Sequence, residues 1–147
     1  MKEMNTIKDK LEAFERILKV MDDIREGCPW DREQTNETLR PMTIEETYEL
    51  AEAVLENDVQ GIKKELGDLF LHIIFYSKIA SEKKQFDIAD VINGLAEKLI
   101  FRHPHVFSDT EVVNADVVKE NWESLKLKEK ENGGAVLSGI PKSLPAM

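Results

Sequence analysis

Apolar side chains recur at three- and four-residue spacing along most of the chain, and that period predicts helices rather than strands. Leu11, Phe14, Leu18 and Met21 mark an amphipathic helix over residues 6–25. Gly27-Cys28-Pro29-Trp30-Asp31 then breaks the pattern, with Asp31 or Thr35 able to start a short turn. Residues 43–56 carry one apolar arc of Ile44, Thr47, Tyr48, Leu50, Ala51, Val54 and Leu55, and residues 64–76 are apolar around nearly the whole circumference. Asn57, with Gln60 as its capping-box partner, leaves only a tight turn between these two helices, which predicts an antiparallel αα-hairpin. After a polar break at 81–85, Asp87 or Asp90 opens a helix through Val91, Leu95, Leu99 and Ile100 that ends at Pro104. A last helix over about 115–131 shows Val118, Trp122 and Leu125 on one face and stops at Asn132-Gly133-Gly134. With no strand expected, the fold class is all-α: a helical bundle built on the hairpin.

One feature of the hairpin conflicts with its apolar character. Glu65 and Asp68 lie three residues apart in the most apolar helix, where an acidic side chain needs its charge compensated. Positions mirror about residue 57, pairing Glu49 with Glu65 and Glu46 with Asp68. At about 1.5 Å rise per residue each pair falls at one height, and an interaxial distance of about 8–10 Å lets the carboxylates share a site. Close carboxylates repel by several kcal/mol per pair at an effective dielectric of about 20, so a divalent cation is expected among them. All-oxygen donors favour Mg²⁺ or Mn²⁺ first and Ca²⁺ next. The competing reading makes Glu46 a capping-box partner of Thr43 and the other acids a solvated face, which is the reading adopted for Glu52 and Glu56.

Composition narrows the classes. The 147 residues fit one domain, assigned to 1–132 with a linker-like tail over 133–147. With 29 acidic against 20 basic side chains the formal charge is −9, which disfavours nucleic acid and anionic membranes as partners. A lone Cys28, a polar amphipathic start and no apolar run of about 20 residues point to a cytoplasmic protein without a membrane span.

Lys98 and Arg102, at i and i+4, point the same way. A ferritin-like di-iron reading needs Glu-x-x-His pairs, and His72, His103 and His105 are instead preceded by Leu69, Ile100 and Arg102. His103-Pro104-His105 is expected to cap a helix and bond locally rather than bind metal. Carboxylate-held metals with cations nearby suit phosphate chemistry, with Lys98 and Arg102 neutralising a polyphosphate. Trp30, in the loop, either caps the end of the core or stacks on a flat ligand.

Glu45-Glu46-Thr47-Tyr48-Glu49 followed by Glu65-Leu66-Gly67-Asp68 resembles the E-E-x-x-E and E-x-x-D signature of the MazG family of nucleoside triphosphate pyrophosphohydrolases. Cys28-Pro29-Trp30-Asp31 with Gln34-Thr35, Lys98-Leu99 with Arg102-His103-Pro104-His105-Val106-Phe107, and Asn121-Trp122-Glu123 with Lys126 are similar to further motifs of that family, in its order. The acidic signature is shared across the wider all-α pyrophosphatase superfamily; the other motifs are more specific. The resemblance implies Mg²⁺-dependent hydrolysis of a nucleoside triphosphate to monophosphate and pyrophosphate, as a housecleaner of nucleotide pools. It implies Glu46, Glu49, Glu65 and Asp68 as metal ligands and Glu45 as a base or an orienter behind them. Lys98 and Arg102 would act on the phosphates, with Trp122 and Lys126 also on the substrate and Trp30 facing the base. The family's dimers of helical bundles imply a homodimer through bundle helices, in keeping with the apolar girth of residues 66–76. Many members carry two tandem copies, so the alternative is a catalytically weak metal- and nucleotide-binding, dimerising domain of a two-domain protein.

Overall fold

The computed structural model describes residues 1–109, 111 and 114–133, the last two for their backbone only. The described residues are helical, with no strand among them. They form α1 (Ile7–Gly27), α2 (Pro29–Glu33), α3 (Asn36–Leu55), α4 (Val59–Glu82), α5 (Ile88–Arg102), α6 (Pro104–Phe107) and α7 (Ala115–Gly133). Two compact units divide at Val91 and Ile92. The expected tail lies, from residue 134 on, outside the described residues.

In the first unit, α1 begins at Thr6, whose hydroxyl and backbone exchange hydrogen bonds with Asp9 in a capping box. Its periodic positions are used unequally. Met21 is buried and Leu18 partly so, whereas Leu11 is 63% exposed. Met21 meets Leu39 of α3 and Ile74, Phe75 and Ile79 of α4, and these residues make the core.

The helix expected from Thr43 in fact starts at Asn36, because Thr35 and Thr38 cap each other reciprocally and Pro41 is accommodated inside. Pro41 and Glu37 are both exposed, a setting in which water can take the place of the donor that the Glu37 carbonyl loses. Thr43 is therefore a mid-helix residue and not a cap for Glu46.

The turn also differs from expectation. Asn57 closes α3 rather than opening α4: at φ 52° it is left-handed, its N–H bonds Val54 O (3.2 Å), and the Asp58 N–H bonds Ala53 O (3.0 Å), a Schellman ending. Asp58, not Asn57, caps α4 by accepting from the Gly61 N–H. The same ending recurs after α4, with Lys84 left-handed at φ 57°, so the helix runs through Glu82 into the expected break.

α4 is not buried all round. His72, Ile74, Phe75, Ser77, Ile79 and Ala80 are buried, while Leu66 (52% exposed), Phe70 (38%), Leu71 (39%) and Ile73 (41%) leave an apolar face open. α5 opens with Asp87 and Asp90 each donating its backbone N–H to the other's carboxylate. In the second unit, His103 Nδ1 bonds the Leu99 carbonyl at 2.6 Å, so the His-Pro-His segment caps locally.

Candidate metal centre and active site

α3 and α4 run antiparallel from their short turn, and the mirrored register places carboxylates against each other. One oxygen from each of Glu46, Glu49 and Glu65 lies within 4.8 Å of the others. Glu46 and Glu65 are partly buried and Glu49 is exposed, so the cluster opens to solvent on the Glu49 side. Glu46 Oε2 and Glu65 Oε2 are buried without a hydrogen-bond partner. Orphaned buried carboxylate oxygens are costly, and here two belong to residues of one cluster.

The electrostatics follow. Desolvation, the adjoining Glu65 carboxylate, and the charges of Glu49 and Asp68 push the Glu46 carboxyl up to about 7. A proton on Glu46 is thus the cluster's own remedy for its like charges, and a divalent cation is the stronger one. The donor set is oxygen only, which fits Mg²⁺ or Mn²⁺.

Asp68 stands apart from the mutual cluster, although its charge reaches Glu46. Lys64, unremarked in the sequence, bridges Asp68 Oδ2 (2.9 Å) and Glu65 Oε1 (3.2 Å), and the two carboxylates hold its ammonium well above the usual lysine range. Its i,i+4 spacing from Asp68 was the available signal. The Lys64 side chain is 68% exposed, so it leaves these oxygens at little cost. Glu45 is exposed and lies outside the cluster.

Trp30 is 55% exposed on α2, so it does not cap the core. Its short helix is set by Arg25, whose Nη1 donates to the carbonyls of Asp31 (2.6 Å), Arg32 (2.9 Å) and Gln34 (3.0 Å). Gln34 in turn donates to Trp30 O at 2.8 Å.

In the second unit Arg102 donates to Glu129 through Nε (3.0 Å) and Nη2 (2.7 Å) and lies 5.5 Å from the Trp122 ring centre. Lys126 Nζ lies 4.8 Å from the same ring centre, so the structure gathers Arg102, Trp122 and Lys126 into one group. Trp122 Nε1 is buried without a partner. Lys98 is near enough for its charge to lower the Glu129 carboxyl, after the larger effect of the Arg102 hydrogen bond. Glu129, invisible as a partner in the sequence, is the residue that orders this group.

Comparison with known proteins bears on this arrangement. The model of the MazG nucleotide pyrophosphohydrolase domain matches residues 34–107, which hold α3, α4 and every carboxylate of the cluster. The chain is 39% identical over 142 residues to the nucleoside triphosphate pyrophosphohydrolase of Escherichia coli (strain K12), covering 93% of this chain and 54% of that protein. It is 47% identical over 119 residues to the nucleoside triphosphate pyrophosphohydrolase/pyrophosphatase MazG of Thermotoga maritima, covering 80% and 45% respectively. The chain thus spans about half the length of these curated relatives. A crystal structure of a mazG-related protein from Thermotoga maritima superposes with a TM-score of 0.66 at 28% identity, over 77% of this chain and 98% of that one. A family model matched across the acidic helices, and a solved relative sharing the fold, establish that the chain belongs to the MazG nucleotide pyrophosphohydrolase family.

Proposed function

We propose that the chain is a Mg²⁺-dependent hydrolase converting nucleoside triphosphates to monophosphate and pyrophosphate, with Mn²⁺ as a possible substitute ion. The observation that carries this is the meeting of Glu46, Glu49 and Glu65 with two buried oxygens lacking any partner. Relatives named as nucleoside triphosphate pyrophosphohydrolases support it. We assign this function to a domain of residues 1–132.

Glu46, Glu49, Glu65 and, after Lys64 swings away, Asp68 would hold the ion. Bound there, it would neutralise phosphate oxygens and acidify water to a nucleophile at neutral pH. Glu46 must release its proton for the site to load, so ion binding and deprotonation are linked. Glu45, exposed beside Glu46, is assigned to orienting a ligand or accepting a proton through water. Lys98 and Arg102 are assigned to the polyphosphate. Arg102 is already fixed by Glu129 through Nε and Nη2, which leaves Nη1 without a bond among the described residues and a guanidinium oriented in advance. Trp122 and Lys126 would extend that group, and Trp30 offers an exposed ring for the base.

The open apolar face of α4 supports a homodimer through bundle helices. No helix among the described residues is long and apolar enough to cross a membrane, and the lone Cys28 fits a cytoplasmic setting. Incubating the purified chain with common and modified triphosphates tests the proposal. Monophosphate plus pyrophosphate, formed only with Mg²⁺ or Mn²⁺, is expected; orthophosphate release or metal-independent turnover overturns it. Nucleotide binding by calorimetry without product would mark a binding domain instead.

A further inference from the structure

One layer beyond the carboxylates, away from the turn, the same two helices are joined by a buried polar contact. Thr43 precedes Glu46 by three residues on α3, and His72 follows Asp68 by four on α4, so both lie about one turn from the acids. Thr43 Oγ1 is 2.6 Å from His72 Nδ1, 2.6 Å from the Tyr76 hydroxyl and 3.1 Å from Leu39 O. His72 is only 7% exposed.

A threonine hydroxyl has one hydrogen and two lone pairs. If the hydrogen goes to Leu39 O, as its position one turn down α3 dictates, His72 Nδ1–H and Tyr76 O–H both donate into the lone pairs. The Thr43 hydroxyl is then fully used, and two side chains of α4 converge on one oxygen of α3.

At the other end of the acidic layer the helices are also held close. A Cβ on Gly61 would collide with the Asp58 carboxylate and reach Ala53 Cβ at 3.4 Å, and Ala53 is buried. The carboxylates therefore occupy the stretch of hairpin between two points of fixed spacing. Their mutual repulsion tends to spread α3 from α4 in just that stretch.

Resting on the reading of the carboxylates as a metal site, we propose that Thr43, His72 and Tyr76 are positioning residues: their junction fixes the α3–α4 separation at Glu46, Glu49, Glu65 and Asp68 and thereby sets the affinity for the divalent ion. Without it, ion binding must draw the helices together, and that work comes out of the affinity. Groups hydrogen-bonded directly to metal ligands are typically worth about 10- to 100-fold in affinity, and this junction, acting through the helix spacing, is expected at the low end of that range.

The test is calorimetric titration of the full chain with Mn²⁺, with the melting temperature of the metal-free protein measured alongside. Thr43→Val, which keeps the shape and removes the oxygen, is expected to weaken Mn²⁺ binding on the order of tenfold. Thr43→Ser restores the oxygen and is expected to bind within about twofold of the unmutated chain. Tyr76→Phe removes one donor from a half-buried site and is expected to weaken binding about threefold while the fold persists, so it decides the matter if Thr43→Val does not fold. A lower melting temperature with unchanged Mn²⁺ affinity in these variants makes the junction merely structural and overturns the inference. If the unmutated chain binds no Mn²⁺, or binds it equally well as Glu49→Gln, the metal site itself is lost and this inference with it.

Discussion

At the C-terminal end of α4, Glu82 receives Arg25 through Nε (3.0 Å) and Nη2 (3.0 Å), while the remaining guanidinium nitrogen is taken up by the carbonyls of Asp31, Arg32 and Gln34. Toward the N-terminus of the same helix, Glu65 shares its space with Glu46 and Glu49, and its buried Oε2 has no partner. Both regions withdraw charge from water. In the first, every donor meets an acceptor and the Arg25 hydrogen bond draws the Glu82 carboxyl below its ordinary range. In the second, acceptors meet acceptors and the Glu46 carboxyl is driven up instead. The contrast separates a charged group used to build the molecule from charged groups held ready for something that arrives later.

Breaking the satisfied region should cost most. Arg25→Met strips Glu82 of its guanidinium donor and leaves the Arg32 and Gln34 carbonyls without theirs, while Asp31 O keeps the Gln34 N–H at 3.3 Å, and is expected to lower stability by about 3 kcal/mol in urea unfolding. Next comes ligation at the unsatisfied region: Mg²⁺ at about 100 times its dissociation constant should stabilise the unmutated chain by about 2.7 kcal/mol. Glu46→Gln should lose most of that gain, yet be more stable than the unmutated chain without metal at pH 8, on the order of 1 kcal/mol. A smaller effect is expected from pH. The folded Glu46 binds its proton up to about 7, the unfolded one only near 4.5, so metal-free stability should fall as pH rises from about 6.5 to 8. Burial of His72 lowers its folded pKa and acts with the opposite sign: stability is lost as pH falls through its unfolded value near 6.5, so it partly offsets the Glu46 effect at the low end of that window and not above about pH 7.5. Melting temperatures with and without Mg²⁺ check this, and Glu46→Gln should flatten the slope. The smallest change is expected for Lys64→Ala: a slight fall in metal-free melting temperature that vanishes when Mg²⁺ is present, because Lys64 then has no carboxylates to bridge.

The helical class and the facing of Glu46 and Glu49 toward Glu65 were legible because both depend on period and register, which are local properties of a sequence. Boundaries were less so. The apolar arc begins near Thr43, but the Thr35/Thr38 exchange starts α3 at Asn36, with the exposed Pro41 carried inside the helix. Asn57 and Asp58 are both good capping residues, and which of them opens α4 depended on a left-handed Asn57 that no pattern specifies. Partners distant in sequence were not legible at all. Arg25 with Glu82, and Arg102 with Glu129, are brought together by packing. Nor was the contact between Thr43 and His72 legible: the mirror that pairs the acids sets Thr43 opposite Leu71, one residue short of His72, and two ordinary polar residues raised no question that a contact would answer.

The brevity of the connection between α3 and α4 has a consequence for how this hairpin can vary. Surface turns usually tolerate an inserted residue, since the chain simply bulges outward. Here the Schellman ending on Asn57 runs straight into the Asp58 cap, so an extra residue absorbed into the start of α4 would rotate everything after it by about 100° and shift it by about 1.5 Å. Glu65 would swing away from Glu46 while the core residues of α4 lost their places together. The length of this short link is therefore a ruler for the chemistry downstream, and substitutions within it are far better tolerated than any change in the number of its residues.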